Sequence, residues 1–269
     1  MTTKRRSTDS AFTTPIGAVA NAYFWNLVAP ALRDSYHVVA VTARGRGKSE
    51  YSTDGKYDYD QDYVQDFRGL TKRLGMDRLI YVGQSMGGRI GMSYAGTYPE
   101  QVERLILVDI GAEVSVRFPK GDPVTDRPEV FNSFAEAEAW LRQFDRFARI
   151  GSEAMDIVLK TSFQKLINGQ LASTIDRKLI GQRQQSASDG RPAFRSAWDL
   201  LSRIQCPTLL IRGTLSDILS PEVAHRTRDT IPNCRLVEIK SGHLPQLENP
   251  SELIRVVREF LQGGEATGT

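Results

Sequence analysis

The stretch Leu79-Ile80-Tyr81-Val82-Gly83-Gln84-Ser85-Met86-Gly87-Gly88 is an apolar run that ends in a glycine, with a serine two residues later and two further glycines behind it. Ile90, Met92 and Tyr94 follow. The pattern predicts a strand, a sharp turn and a helix start, with Ser85 at the apex. A turn that lifts a side chain off a strand end brings the backbone close to itself, so nearby β-carbons would clash and glycines are needed. The helix that begins behind the serine offers backbone N–H groups without intrahelical partners, which can receive developing negative charge. A bare G-x-S-x-G also occurs in ordinary turns. Its place between an apolar strand and a helix is what identifies a nucleophile elbow.

Working outward, residues 37–41 form a β-branched run that leads into Arg44-Gly45-Arg46-Gly47-Lys48-Ser49. Gly47-Lys48-Ser49 resembles the tail of a phosphate-binding loop. That motif also needs a glycine where Thr42 stands and a helix straight after the serine, and residues 50–55 read as a turn. Residues 59–74 predict an amphipathic helix through Tyr63, Phe67, Leu70 and Leu74, stopped by Gly75. Strands are expected at 78–82 and 102–110, the latter containing Asp109, with a helix over 86–98 between them. Strand, helix, strand, helix, strand with short joins implies a parallel α/β architecture. Helical spacing is also expected over 24–32.

Residues 111–197 break this rhythm. Helical patterns appear near 134–147 and 152–166, residues 182–190 read as a polar loop, and no convincing strand is visible. A helical insertion above the sheet accounts for the segment. The sheet resumes at 207–213, a helix is expected at 221–230, a last strand at 234–239 and a final helix at 251–261. The expected organisation is a core of residues 15–111 and 198–262, a cap of 112–197, and flexible tails at 1–14 and 263–269.

At 269 residues, 40% hydrophobic and 25% charged, the composition is that of a globular domain with a full core. The net charge of +3 and the lack of a large basic block argue against a nucleic-acid partner. Cys206 and Cys234 have no metal-site spacing and read as buried thiols. No apolar segment follows Lys4-Arg5-Arg6 as a secretory signal would, and no run is long enough to span a membrane, so a cytoplasmic protein without a membrane partner is expected.

A serine hydroxyl needs a base, normally histidine. The chain has three histidines. His37 opens a strand and reads as structural. His225 sits among Arg226, Arg228 and Asp229 on a predicted helix and reads as solvated. His243, in Ser241-Gly242-His243-Leu244-Pro245, follows a strand at the C-terminal edge of the sheet, where α/β proteins place their sites. An acid must hold the imidazole tautomer. Asp217 and Asp109 both end strands, and both give the order serine, acid, histidine. Asp217 is preferred, because its strand immediately precedes the one feeding His243, and Asp109 is kept as a reserve acid. Either could instead cap a helix or fix a loop.

These stretches together resemble the α/β-hydrolase superfamily, in the branch of small bacterial esterases, lactonases and related hydrolases with a helical cap. Trp25 with residues 28–32 is similar to the family's helix after the oxyanion loop, and residues 44–49 to its R-G-x-G-x-S turn. Residues 83–88 match the elbow, with Gln84 where histidine is commoner. Asp109-Ile110-Gly111, residues 206–221 with Ser216-Asp217, and Gly242-His243-Leu244-Pro245 resemble the remaining loops. The likeness spans about 17–261 and is weakest in the cap.

The resemblance implies a mostly parallel sheet flanked by helices, with a helical cap and a nucleophile Ser85, base His243 and acid Asp217. It also implies oxyanion donors at the N–H groups of Met86 and Ala18. The chain departs from the family at 11–17, where Ile16 replaces the histidine of a His-Gly pair, Pro15 would remove a ladder donor, and the preceding hairpin is missing; the N-terminal strands are expected to be reduced or missing. Serine at the elbow argues against the dehalogenase branch. The implied function is hydrolysis of a small-molecule ester or lactone without metal or cofactor. Carbon–carbon bond hydrolases and cofactor-free haloperoxidases share the triad, and a weakened homologue acting as a binding protein is the alternative of another class. Trp140, Phe144 and Phe147 of the cap are candidates to line a pocket, although such a stripe is more often core.

Overall fold

The computed structural model describes residues 11–15, 21–114, 121–189 and 196–263. Its main sheet has six strands, β1 (Ala11–Pro15), β2 (His37–Val41), β3 (Leu79–Gln84), β4 (Val102–Val108), β8 (Thr208–Gly213) and β9 (Cys234–Ile239). Their order is β2-β1-β3-β4-β8-β9. Every neighbouring pair is parallel. Residues 11–14, expected in a flexible tail, therefore belong to an interior strand. The proline is accommodated by register. On the β3 side, pairing runs only from Ala11 to Thr13, and Pro15 lies past its end, opposite Val41 of β2.

Helices cover both faces of the sheet. They are α1 (Val64–Arg73), α2 (Met86–Thr97), α8 (Pro221–Thr230) and α10 (Pro250–Leu261). Side chains alternate along each strand, so Ile80, Val82, Ile106, Val108, Leu209 and Ile211 pack with Leu253, Val256 and Val257 of α10. Leu79, Tyr81, Leu105, Leu107 and Leu210 face the other way, against Phe67 of α1, Ile90 and Tyr94 of α2 and Val223 of α8. A parallel sheet buried on both faces accounts for the near-continuous apolar runs in its central strands. The helical spacing at 24–32 resolves instead into single 3-10 turns at Ala22–Trp25 and Ala29–Ala31.

Between β4 and β8 lie α3 (Phe134–Leu141), α4 (Asp145–Ala148), α5 (Ser152–Ser162), α6 (Arg177–Ser188) and α7 (Trp198–Leu201). This segment also carries a small antiparallel sheet in the order β5-β7-β6, formed by β5 (Val130–Phe131), β6 (Phe163–Lys165) and β7 (Leu171–Ser173). The sequence showed no strand there, because segments of two or three residues are too short to display a period of two. The polar loop expected at 182–190 is helical as far as Ser188. Polar contacts hold α6 in place: Arg183 pairs with Asp122 at 2.8 Å, and Gln184 donates to the Thr125 carbonyl.

Phe144 and Phe147 are buried in the apolar cluster shared with the main sheet, and Trp140 packs half-buried between Phe131 and Phe144. No helix among the described residues is long and apolar enough to cross a membrane.

Candidate active site

Ser85 stands between β3 and α2 with φ of +52°, a left-handed conformation that costs an L-residue about 1–3 kcal/mol and persists only where the surroundings enforce it. The enforcement is visible at Gly83, where an added Cβ would lie 2.4 Å from the carbonyl carbon of Gly87. The Ser85 N–H also donates to the Val108 carbonyl at 3.1 Å, tying the turn to β4.

His243 lies in the loop between β9 and α9 (Pro245–Glu248) and is 4% exposed. Its Nε2 is 3.0 Å from Ser85 Oγ, and its Nδ1 is 2.7 Å from Asp109 Oδ2. Asp109 is fully buried and, like Ser85, has a positive φ, +51°. The Gly213 N–H donates to Asp109 Oδ1 at 2.9 Å, and the Ser216 hydroxyl donates to Oδ2. A carboxylate on Nδ1 makes that nitrogen the N–H donor and leaves Nε2 free to accept the serine proton. Gln84 adds a brace, donating from Nε2 to the His243 carbonyl at 2.7 Å.

Asp217, the preferred acid on sequence grounds, is not the carboxylate on His243. It pairs with Arg146 of α4 at 3.6 Å instead. The reason lies in sheet register. Gln84 pairs with Val108, so the residues that follow, Ser85 and Asp109, leave neighbouring strands side by side. Asp217 comes four residues after the end of β8, in a loop that turns its Ser216, rather than its aspartate, toward the imidazole's partner. The equality of the two strand ends was the available signal, and chain order alone could not supply it.

The remaining candidates fall as follows. Met86 opens α2 and is wholly buried, so its N–H is among those a helix leaves without an intrahelical partner. Behind it, Arg46 is 1% exposed, with Nη2 3.1 Å from Met86 Sδ and Nη1 donating to the Tyr63 hydroxyl and the Arg44 carbonyl. Ala18 lies outside the described residues. His37 and His225 are exposed on β2 and α8. A cleft of about 620 Å³ opens beside the end of β2, lined by Thr42, Arg44, Ser49, Tyr63, Phe67 and Ile90 among others, but neither Ser85 nor His243 lines it. Among the described residues, no group of three or more His, Cys, Asp and Glu is placed to hold a metal.

One contact reaches the site from the cap, by way of Glu248. Glu248 accepts from the N–H groups of Gly242 at 2.8 Å and Leu244 at 3.4 Å, the residues on either side of His243. Arg149, which follows α4, meets Glu248 at 3.2 Å. Neither residue stood out in the sequence.

A family model described as the alpha/beta hydrolase fold matches residues 16–250. The chain is 28% identical over 247 residues to a 3-hydroxybutyrate-oligomer hydrolase of Cupriavidus necator, covering 89% of this chain and 84% of that protein. It is also 28% identical over 244 residues to a 2-hydroxymuconate semialdehyde hydrolase of a Pseudomonas species, covering 90% and 82%. Among solved structures, E-2-(acetamidomethylene)succinate hydrolase superposes with a TM-score of 0.80 at 20% identity, over 94% of this chain and 91% of that one.

Proposed function

Because this chain belongs to the alpha/beta hydrolase fold family, we propose that it is a serine hydrolase that cleaves a carboxylic ester or lactone of a small molecule, with Ser85 as nucleophile, His243 as base and Asp109 as the orienting acid. The observation that carries the reading is the continuous chain from Ser85 Oγ through both ring nitrogens of His243 to Asp109 Oδ2, at 3.0 and 2.7 Å. The family and the named hydrolases among its relatives support the same reaction class.

In this mechanism His243 Nε2 takes the Ser85 proton as Oγ attacks the substrate carbonyl, and Asp109 stabilises the imidazolium that forms. The Met86 N–H holds the oxyanion, with its dipole already aligned at the start of α2. The tetrahedral intermediate collapses, and the alcohol leaves with the proton from His243. Water, deprotonated by the same base, then releases the acid from Ser85. Residues 112–197 act in this reading as the cap that bounds the substrate site. A complete hydrogen-bonded triad supports an enzyme over a binding module.

The experiment is hydrolysis of a p-nitrophenyl ester series by the purified protein beside Ser85→Ala. Turnover that disappears in the variant is expected. Equal turnover by both proteins would overturn the proposal.

A further inference from the structure

The two ends of the His243 ring are held unequally. The Nδ1 end is fixed by Asp109, whose carboxylate is itself held by the Gly213 N–H and the Ser216 hydroxyl. The Nε2 end must give up a contact in every catalytic cycle, because Ser85 Oγ, 3.0 Å away, loses its hydrogen when it is acylated. Gln84 supplies a second donor there. It is the last residue of β3, paired with Val108 and 1% exposed. Its amide nitrogen lies 2.7 Å from the His243 carbonyl oxygen and 3.3 Å from the ring Nε2.

The orientation of this amide follows from its surroundings. The His243 carbonyl can only accept, so the –NH2 edge faces it, and an –NH2 group carries two hydrogens. With the ring proton on Nδ1, Nε2 presents a lone pair, so the second hydrogen has an acceptor as well. The same orientation leaves Gln84 Oε1 buried without a hydrogen-bond partner. An unsatisfied buried acceptor is destabilising, and an apolar side chain of similar size would avoid it. What the glutamine contributes is its pair of donors, both directed at His243. In the free enzyme Ser85 and Gln84 compete for one in-plane lone pair, and the serine is the closer. In an acyl-enzyme that competition ends, because Oγ is then an ester oxygen with no hydrogen to give.

We propose that Gln84 holds the imidazole in place while Ser85 is acylated, and so acts as a positioning residue for deacylation. This rests on the serine-hydrolase reading and distinguishes its two half-reactions. During acylation Ser85 and Asp109 already hold both ends of the ring. During deacylation water adds to the acyl carbon and gives a proton to Nε2, the bond from that carbon to Oγ breaks, and the proton returns from Nε2 to Oγ. The Gln84 N–H yields Nε2 to the water as it does to the serine, since its contact is the longer one.

The test is stopped-flow hydrolysis of p-nitrophenyl acetate, which gives acylation from the nitrophenolate burst and deacylation from the steady state. Gln84→Met matches the side chain in length and has no donor. Its deacylation should slow by about tenfold, the scale of one hydrogen bond, and its acylation by no more than about threefold. In that case kcat and KM fall together while kcat/KM is nearly preserved. Loss of the carbonyl brace alone would displace the loop and slow both steps alike, so equal falls, or no fall in deacylation, would overturn the proposal. A second measurement needs no variant. Phenylmethylsulfonyl fluoride converts Ser85 to a sulfonate ester without an Oγ hydrogen, and nitrogen NMR then reads His243 Nε2. The resonance of a hydrogen-bonded acceptor is expected, and that of a bare lone pair in the labelled protein would overturn this proposal alone. No labelling of Ser85 and no turnover of any ester would overturn the serine-hydrolase reading and this inference with it.

Discussion

Arg149 and Glu248 meet at 3.2 Å across the boundary between the cap segment and the histidine loop. Glu248 has a side chain only 5% exposed and takes the backbone N–H groups on both sides of His243. The carboxylate therefore fixes the backbone from which the imidazole projects, and the guanidinium neutralises a charge that would otherwise be buried alone.

Glu248→Gln should lower kcat more than it raises KM, because it loosens the base without touching a substrate group. The amide keeps one acceptor, so Glu248→Ala should be worse than Glu248→Gln. Each charge-assisted hydrogen bond lost is expected to cost stability of about 1.5–3 kcal/mol, read from urea unfolding. Equal kcat in all three proteins would show that the loop holds His243 without help.

Asp109→Asn should reduce kcat by about 10³–10⁴-fold, since an amide can present the wrong tautomer to His243 while preserving shape. Asp217→Asn should retain at least about a hundredfold more activity than Asp109→Asn on a neutral ester, the remainder being the difference between a triad member and a neighbour. If Asp217→Asn proved the more damaging, the acid assignment would reverse.

Gly83→Ala places a methyl group 2.4 Å from the backbone of Gly87, with no flexible side chain to yield. Overpacking of this kind is expected to cost about 3 kcal/mol or more. The variant should unfold well below the parent, and a melt within two or three degrees of the parent, by the ordinary scaling of about 1 kcal/mol to a few degrees, would contradict the packing described for the elbow.

Burial raises the Cys206 thiol to about 11 and the Cys234 thiol to about 12, and it also raises the Tyr57 hydroxyl to about 12, where Asp176 adds to the shift. The neutral forms are favoured in the folded protein, so the unfolded chain loses these protons first as pH rises. Stability should be unaffected by these groups below pH 9 and decline above it, each thiol contributing up to about 1.4 kcal/mol per pH unit until its folded pKa is reached. Urea midpoints at pH 8 and pH 10 measure the effect. Native protein should also react slowly with thiol reagents at pH 8, where both groups are protonated.

Much of the core was legible because burial on both faces leaves a strong imprint. The strand at Cys234–Ile239 and the helix at Pro221–Thr230 fall where the sequence places them. The elbow was readable from its glycines, and His243 from elimination among three histidines. The cap was readable only in outline. The strands β5, β6 and β7 are too short for a periodic signal, and α6 has little apolar stripe, with Leu179 buried and Ile180 only partly so. The choice between Asp109 and Asp217 depended on where two adjacent strands end relative to each other. That is a property of pairing, which a linear pattern does not contain.

Ser85 and Asp109 leave neighbouring strands; the Ser85 N–H bonds Val108 of the acid's own strand and the Asp109 N–H bonds Ile211 of β8, so nucleophile and acid are both pinned to the sheet. His243 alone is carried by a loop. Anything that displaces the cap through Arg149 and Glu248 can interrupt the proton path at a single member, while the other two stay in register. Activity could then be lost at temperatures where the sheet is still whole, and it could return on cooling without refolding.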